Sequence, residues 1–416
     1  MEKSEQPVPQ QCPVCGESEM TGFFRTTGAP VFCNVLWPTA RSALAAPRST
    51  INLAFCEGCG LIYNTAFDPL LLKYTEEYEN SLNFSPRFQH YAEELALRLV
   101  ERYQLYGKDI VEIGCGQGDF LSLLTEAGGN RGLGFDPSYD ASKAMTRAGA
   151  GVSILPELYS ELHAAYPADL VCCRHVLEHI AQPLGFMQSV RRAVGERTGT
   201  VVFFEVPNAL YTLQRLSVWD IIYEHCSYFT PRSLQELFLR AEFDPSDVLE
   251  QFEGQYLTIE ARARQTQPQE PVAVPEMDIA EVCLDFEDSC NAKMNLWRQI
   301  IRRQHEDNRR LVVWGAGAKG VTFLNMLNVP TAAVEYVVDV NPRKHGRYVP
   351  GTAQQIVPPS FLQSYRPHAV IIMNSIYRGE IEQLLTEMGL GAEIILAHEP
   401  VMQTIDIGAA ALQLEA

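Results

Sequence analysis

Four of the eleven cysteines have the spacing of metal ligands. They form two Cys-x-x-Cys pairs, and a glycine that allows a tight turn follows each pair. Two such pairs can direct four thiolates at one tetrahedral ion. We therefore predict a structural zinc ion that folds the N-terminal segment and takes no part in catalysis, held by Cys12, Cys15, Cys56 and Cys59. The other cysteines lack this pairing and are predicted to be ordinary thiols.

A glycine loop follows the apolar segment 109–113. Glu112 precedes Gly114, Gly116 and Gly118, and Asp136 ends the next apolar segment. Glycines let the backbone pass close beneath a bulky ligand, and an acid at a strand end can accept hydrogen bonds from ribose hydroxyls. The pattern resembles the S-adenosylmethionine site of class I methyltransferases. On that resemblance the three glycines form the loop, Asp136 binds the ribose, and Glu112 holds the amino-acid end of the cofactor.

Polar side chains cluster again in the segment 218–233, where Tyr223, Glu224 and His225 are consecutive. A carboxylate beside an imidazole can be a base and its orienting partner, although adjacent side chains on an extended segment point to opposite sides. Loops also collect polar residues without any catalytic role. The cluster alone does not decide between a catalytic role and no catalytic role.

A second glycine loop has the sequence Gly315-Ala-Gly-Ala-Lys-Gly320, and Asp339 ends the strand predicted after it. Taken alone, this pattern predicts a dinucleotide site, with the pyrophosphate on a helix N-terminus and the ribose on Asp339. No second set of acid–base residues accompanies this loop, which argues against an NAD-dependent enzyme.

The elements that position these motifs alternate between strand and helix patterns, which is typical of an α/β protein with a doubly wound parallel sheet. The segment 265–276 is rich in Gln and Pro and is predicted to be a linker, followed by one amphipathic helix from Ile279 to Ile301. The predicted organisation is a zinc-binding module, a methyltransferase core, the linker with its helix, and a Rossmann-like domain, at residues 1–70, 71–264, 265–310 and 311–416.

Composition excludes several classes of partner. The chain has 33 Lys and Arg against 51 Asp and Glu, a net charge of −18, which repels a polyphosphate backbone and disfavours nucleic acid, including an RNA methyltransferase reaction. Its apolar stretches are too short for a membrane span, and the first residues have no apolar core for a signal peptide. We therefore expect a cytoplasmic protein with a small-molecule substrate. The sequence leaves monomer and dimer open.

In combination, these features resemble the zinc-containing sugar C-methyltransferases, which add a methyl group at C3 of nucleotide-linked 4-keto-deoxysugars. The resemblance runs from about Cys12 to about residue 400. Glu205-Val-Pro207 is similar to that family's strand-end motif, Glu224-His225 to the end of its Tyr-His-Glu-His segment, and the segment 339–352 to its C-terminal signature.

The resemblance implies a reaction through an enolate. The C3 proton is acidic because the C4 ketone can take up charge, so the enzyme needs a base and donors for the enolate oxygen. The resemblance makes His225 the base and Glu224 the group that orients it. His179 and Tyr223 would line the pocket and support the enolate or the sugar hydroxyls, and Tyr78 would reach the same pocket. No catalytic metal is required.

In that family the second glycine loop belongs to a nucleotide-binding-like fold that helps to cover the sugar nucleotide. Gly317 departs from the family, which has proline there, and makes this loop more like one that binds a nucleotide. A basic cluster for the diphosphate is predicted at Lys319, Arg343, Lys344 and Arg347.

Two other functions stay open. One is an O- or N-methyltransferase of the same architecture, which would need no enolate. The other is a non-catalytic module that uses zinc and S-adenosylmethionine for assembly or regulation, in which His225 would be dispensable.

Overall fold

The computed structural model describes residues 11–72, 79–140, 151–265, 272–274 and 278–398. These residues form three β-sheets with helices packed against them. Most of the predicted linker lies outside the described residues. No helix in the described ranges is long and apolar enough to cross a bilayer.

The first sheet is antiparallel and has the order β1-β2-β3-β9. Its strands and the short helix between the first two are β1 (Thr21–Pro30), α1 (Ala40–Leu44), β2 (Arg48–Phe55), β3 (Ile62–Asn64) and β9 (Ser227–Tyr228). The strand β9 comes from the segment predicted to belong to the methyltransferase core. The N-terminal module therefore shares its sheet with the core instead of closing at residue 70.

The second sheet has seven strands in the order β10-β11-β8-β7-β4-β5-β6. Its strands and helices are α2 (Pro86–Tyr103), β4 (Asp109–Ile113), α3 (Asp119–Gly128), β5 (Arg131–Phe135), β6 (Val152–Leu155), β7 (Leu170–Arg174), α4 (Pro183–Val194), β8 (Val201–Pro207), α5 (Ala209–Gln214), α6 (Pro231–Arg240), β10 (Phe243–Gln251) and β11 (Tyr256–Ala263).

The strands β4 to β8 of this sheet pair in parallel, as predicted. The final hairpin is an addition to that prediction, because β11 runs antiparallel to both β8 and β10. The central strands β4, β7 and β8 are mostly apolar and almost wholly buried, as expected for a sheet covered on both faces. Parallel pairing brings the carboxyl ends of these strands to one edge, where their exit loops meet.

Local backbone and capping features set the boundaries of the helices. At the start of α6 the Thr230 hydroxyl accepts a hydrogen bond from the Ser233 N–H, and Pro231 occupies the first turn. The prediction of one continuous amphipathic helix after the linker is wrong. The helix is broken into α7 (Ile279–Cys283) and α8 (Phe286–Glu306), because Asp285 has a left-handed backbone with φ of 59°.

The third sheet has five parallel strands in the order β14-β13-β12-β15-β16. Its strands and helices are β12 (Leu311–Trp314), α9 (Ala318–Leu327), β13 (Val334–Val338), β14 (Gln355–Val357), α10 (Leu362–Tyr365), β15 (Ala369–Ile372), α11 (Arg378–Glu387) and β16 (Glu393–Leu396). The α8 residues Trp297 and Ile301 are buried in the core that the first and third sheets share.

Polar contacts fix the third sheet against the second. Gln255 and Asn374 exchange two side-chain hydrogen bonds of 3.1 and 2.9 Å, and the Trp219 indole donates to the Ala397 carbonyl over 3.3 Å. Between these contacts the carboxyl edges of the two sheets enclose a cleft.

Candidate functional site

The first glycine loop has the conformation that the sequence requires. Gly114, Gly116 and Gly118 all have positive φ, at 70°, 56° and 82°, a region that favours glycine. The Gly116 N–H donates to Oδ2 of Asp136 over 2.8 Å. A Cβ placed on Gly116 would meet nothing within 4 Å. The loop therefore faces open space beside a strand-end carboxylate.

Asp136 is held by its own loop. Its Oδ1 accepts hydrogen bonds from the N–H and the hydroxyl of Ser138, at 2.8 and 2.6 Å. A carboxylate has about four acceptor positions, so a further acceptor position is left for a ribose hydroxyl.

Glu112 is buried directly below the loop. Its Oε2 atom has no hydrogen-bond partner among the described residues, and burial raises the pKa of Glu112 to about 8. A buried carboxylate oxygen without a donor fits the ammonium group of a ligand such as S-adenosylmethionine. The predicted cofactor residues thus suit that ligand.

The exit loop of β7 lies against the glycine loop. A Cβ on Gly114 would be 2.1 Å from Cγ2 of Val176, and Val176 is flanked by His175 on one side and by Glu178 and His179 on the other. This loop therefore connects the cofactor side of the sheet edge to the cleft.

The cleft between the second and third sheets has a volume of about 330 Å³. The residues that line it include His175, Glu178, His179 and His225 from the core, and Lys319 and Lys344 from the C-terminal domain. Three imidazoles and two ammonium groups therefore share one space with four carboxylates, those of Glu178, Asp220, Asp339 and Glu380.

His179 and His225 are neighbours in this cleft. Their ring centroids are 4.8 Å apart with the planes at 80°, and Nδ1 of His179 lies 2.9 Å from the Glu224 carbonyl oxygen. As a donor to that carbonyl, Nδ1 carries the proton, and the lone pair is on Nε2. Burial lowers the pKa of His179 to about 4. Burial, with the neighbours His179, His175 and Lys319, holds the pKa of His225 well below 6.5, so both rings are neutral near pH 7.

The structure does not bring the other predicted catalytic residues into this arrangement. The Glu224 carboxylate accepts the Cys33 N–H over 2.8 Å, and it is the Glu224 carbonyl that contacts a histidine. Tyr223 is fully buried, with its hydroxyl accepting the Asp68 N–H over 2.8 Å and its ring against Phe67. Both differ from prediction because residues 222–225 form a turn, in which the His225 N–H donates to the Ile222 carbonyl over 3.3 Å, and the two side chains point toward the N-terminal module. Tyr78 lies outside the described residues.

Two cleft residues, His175 and Glu178, were missed by sequence reasoning. His175 Nε2 lies 2.9 Å from Oε1 of Glu205, which also accepts from Arg174. Burial would raise the pKa of Glu205, but Arg174 and His175 lower it to about 2. Glu178 is 2% exposed, and burial raises its pKa to about 7. Their only sequence signal was their place in the loop that also holds His179.

The second glycine loop repeats the first. The Ala316 N–H donates to Oδ2 of Asp339 over 2.8 Å, and Oδ1 of Asp339 accepts the Asn341 N–H. Here, however, the Lys344 ammonium is 3.6 Å from Oδ2 and donates to the Ala316 carbonyl over 3.3 Å. A side chain of this chain thus fills the position beside the strand-end acid, which argues against a dinucleotide at this loop.

The four predicted diphosphate residues are not brought together. Lys319 and Lys344 line the described part of the cleft, whereas Arg343 and Arg347 lie outside it. Lys319 is paired with Asp220, and Arg343 with Glu79 over 3.1 Å.

The four N-terminal cysteines form one cluster. The Sγ atoms of Cys12 and Cys59 are 3.6 Å apart and those of Cys15 and Cys56 are 3.4 Å apart, and all four lie within 4.8 Å of one another. A tetrahedral zinc ion with Zn–S bonds of about 2.3 Å needs sulfurs about 3.8 Å apart. The cluster fits such an ion.

Two domain families match the chain. Residues 88–248 match a methyltransferase domain, and residues 263–397 match the C-methyltransferase C-terminal domain. The chain therefore contains an S-adenosylmethionine-dependent methyltransferase domain joined to the C-terminal domain of C-methyltransferases. The first match contains the glycine loop, Asp136 and His225, and the second contains Lys319 and Lys344.

Whole-protein similarities are more limited. The ubiquinone biosynthesis O-methyltransferases of Escherichia fergusonii and Citrobacter koseri are each 33% identical over 112 residues, which is 25% of this chain and 45% and 44% of those proteins. The chain thus spans less than half the length of these relatives. Among solved structures, 1,6-didemethyltoxoflavin-N1-methyltransferase from Burkholderia thailandensis is 15% identical, with a TM-score of 0.33, over 42% of this chain and 79% of that one.

Proposed function

We propose that this protein is an S-adenosylmethionine-dependent C-methyltransferase that methylates the carbon next to a ketone, at C3 of a nucleotide-linked 4-keto-deoxysugar. The observation that carries the proposal is the cleft that His225 and His179 line together with Lys319, between a methyltransferase domain and a C-methyltransferase C-terminal domain.

The cofactor end of the site supports methyl transfer. Gly116 faces open space, Asp136 keeps an acceptor position, and the buried Oε2 of Glu112 lacks a partner in the described chain. When bound, S-adenosylmethionine would supply an electrophilic methyl group. The contact between Gly114 and Val176 puts that end of the site next to the loop that carries His179.

The acceptor end supports proton removal from carbon. His225 lines the cleft and is neutral near pH 7, so its ring has a lone pair for the C3 proton. The His179 ring, fixed by the Glu224 carbonyl, packs edge-on against it and keeps a second neutral imidazole in the site. The proton would move from C3 to His225, and the charge would pass to the C4 oxygen as an enolate.

The substrate class is inferred from the family resemblance together with the cleft. Lys319 lines the cleft and would offer its ammonium group to a diphosphate in place of its partner Asp220. The volume of about 330 Å³ is of the size of small-molecule pockets. We also propose that the four-cysteine cluster holds a structural zinc ion, because its sulfur spacing fits one.

The test is hydrogen exchange without the methyl donor. In D₂O, the protein should exchange the C3 hydrogen of a thymidine-diphospho-4-keto-6-deoxysugar for deuterium. Mass spectrometry measures this exchange. His225→Gln should abolish this exchange, and His90→Gln, a change of an exposed histidine on α2, should leave it intact. Undiminished exchange by the His225 variant would remove that residue from the base role. Methyl transfer to an acceptor that shows no exchange would favour an O- or N-methyltransferase.

A further inference from the structure

We propose that Glu178, His179 and His225 form a site for one divalent transition-metal ion of the zinc class, and that an ion bound there blocks the reaction by holding the lone pair of His225. The first part is independent of the proposed function; the second rests on it.

The three side chains present one ligand atom each to a common point. Their ligating atoms lie within 4.8 Å of one another, and all three residues line the cleft. An ion with bonds of about 2.0–2.2 Å would bring such atoms to about 3–3.5 Å, so small side-chain rotations complete the site. Within the described chain, the His225 ring has no hydrogen bond that would oppose such a rotation.

Glu178 supplies the observation that points to a ligand. It is 2% exposed, and its Oε2 has no hydrogen-bond partner among the described residues. Its other oxygen lies 3.8 Å from Nδ1 of His175. A buried carboxylate oxygen that lacks a donor is costly unless a cation or a donor completes it, and a metal ion at this position would do so.

His179 is oriented as metal-binding histidines are. Its Nδ1 is on the Glu224 carbonyl at 2.9 Å, which fixes the tautomer with the lone pair on Nε2. A backbone carbonyl on the other ring nitrogen is the usual support for a ligating imidazole. Two imidazoles and one carboxylate suit Zn²⁺, Co²⁺ or Ni²⁺, and three protein ligands leave a position open toward the cleft.

The consequence concerns the reaction. A histidine whose lone pair is shared with a metal cannot accept a proton from carbon. This ion would therefore inhibit, in contrast to the ion proposed for Cys12, Cys15, Cys56 and Cys59, which is structural. Removing the ion from Glu178, His179 and His225 should restore activity without unfolding the N-terminal module.

The binding test uses Co²⁺ with the full-length protein, whose metal content is measured before titration. We expect one Co²⁺ ion per chain to bind with d–d absorption bands and without the thiolate charge-transfer bands that a cysteine site gives. Glu178→Gln and His225→Gln should each weaken this binding by more than the roughly 10- to 100-fold that is typical when a residue that only orients a metal ligand is lost. The matched controls Glu94→Gln and His90→Gln change an exposed pair on α2 and should bind as wild type.

The activity test measures deuterium exchange with and without Co²⁺. Saturating Co²⁺ should suppress wild-type exchange at least tenfold, EDTA should restore it, and Glu178→Gln should lose this suppression whatever its own rate. Absence of Co²⁺ binding, equal binding by the Glu178 and His225 variants, or an increase in exchange with Co²⁺ would each overturn the proposal. If no keto sugar exchanges at all, the proposed function fails while the binding test still decides whether the site exists.

Discussion

The backbone N–H of Cys33 donates a 2.8 Å hydrogen bond to Oε2 of Glu224. This contact joins the N-terminal module to the loop that carries His225, and both groups are buried. The carboxylate of Glu224 therefore serves the joint between two parts of the fold, while its carbonyl orients His179.

A pair of substitutions at Glu224 tests that assignment. Glu224→Gln keeps an oxygen for the Cys33 N–H, so we expect deuterium exchange within a few-fold of wild type and an unchanged pH profile. Glu224→Ala leaves a buried donor unpaired and should lower the free energy of unfolding by about 1–3 kcal/mol, measured by urea denaturation. A loss on the order of 100-fold in Glu224→Gln would instead support its predicted role in orienting the base.

The pH dependence of exchange reports on His225. The base must be neutral, and burial with His179, His175 and Lys319 holds its pKa well below 6.5. The rate constant kcat/KM should therefore stay flat as the pH falls to 6.5 and decrease only in more acidic solution, where His225 becomes protonated. A decrease with an apparent pKa at or above 6.5 would contradict this environment. The profile should be recorded with a chelator present.

Glu112 should couple cofactor binding to pH. Its pKa of about 8 in the ligand-free protein means that it is mostly protonated at pH 6–7, whereas an ammonium ligand favours its ionised form. Affinity for S-adenosylhomocysteine should rise about tenfold per pH unit in that range, with release of a proton that calorimetry in two buffers detects.

The matched variants at Glu112 define the source of that effect. Glu112→Gln should bind more weakly and lose the pH dependence, and Glu126→Gln, at an exposed position of α3, should retain both. Proton release that persists in Glu112→Gln would assign it to another group.

Loss of the proposed zinc ion should disturb the cleft. The second cysteine pair is attached to α6, because the Thr230 hydroxyl donates to the Gly60 carbonyl over 3.2 Å and Arg232 donates to the Gly58 carbonyl over 2.7 Å. We expect Cys59→Ser to lose zinc, to melt at a lower temperature and to lose exchange activity. Cys283→Ser, in α7, should keep its zinc. Full activity in a zinc-free Cys59 variant would show that the module is dispensable.

Lys319 and Arg347 provide a comparison within the predicted basic cluster. Lys319 lines the cleft, paired with Asp220, and Arg347 lies outside its described part. Lys319→Gln should raise KM for the sugar nucleotide by roughly tenfold or more with little change in kcat, since a hydrogen bond to a charged group is worth about 1.5–3 kcal/mol. Arg347→Gln should change KM by less than about twofold. Equal effects of the two changes would place the diphosphate elsewhere.

The parts of the site that could be predicted are those set by local sequence and parallel pairing. Gly116 and Asp136 meet because β4 and β5 are adjacent parallel strands, and both Cys-x-x-Cys turns carry their own geometry. The partner of Arg343, in contrast, is Glu79, which is far away in the sequence, and no local pattern encodes that pairing. The direction of Tyr223 depends on which side of its segment the first sheet covers, and spacing does not report that.

The two strand-end acids, Asp136 and Asp339, each accept a loop N–H at 2.8 Å. They differ in their neighbours, because the ammonium group of Lys344, on the same chain, lies 3.6 Å from Asp339. A tethered group has an effective concentration in the millimolar range or above for its neighbour. A soluble nucleotide would have to outcompete that lysine for the acid. The C-terminal domain therefore has the shape of a cofactor-binding unit, but the Lys344 side chain occupies the position beside the strand-end acid.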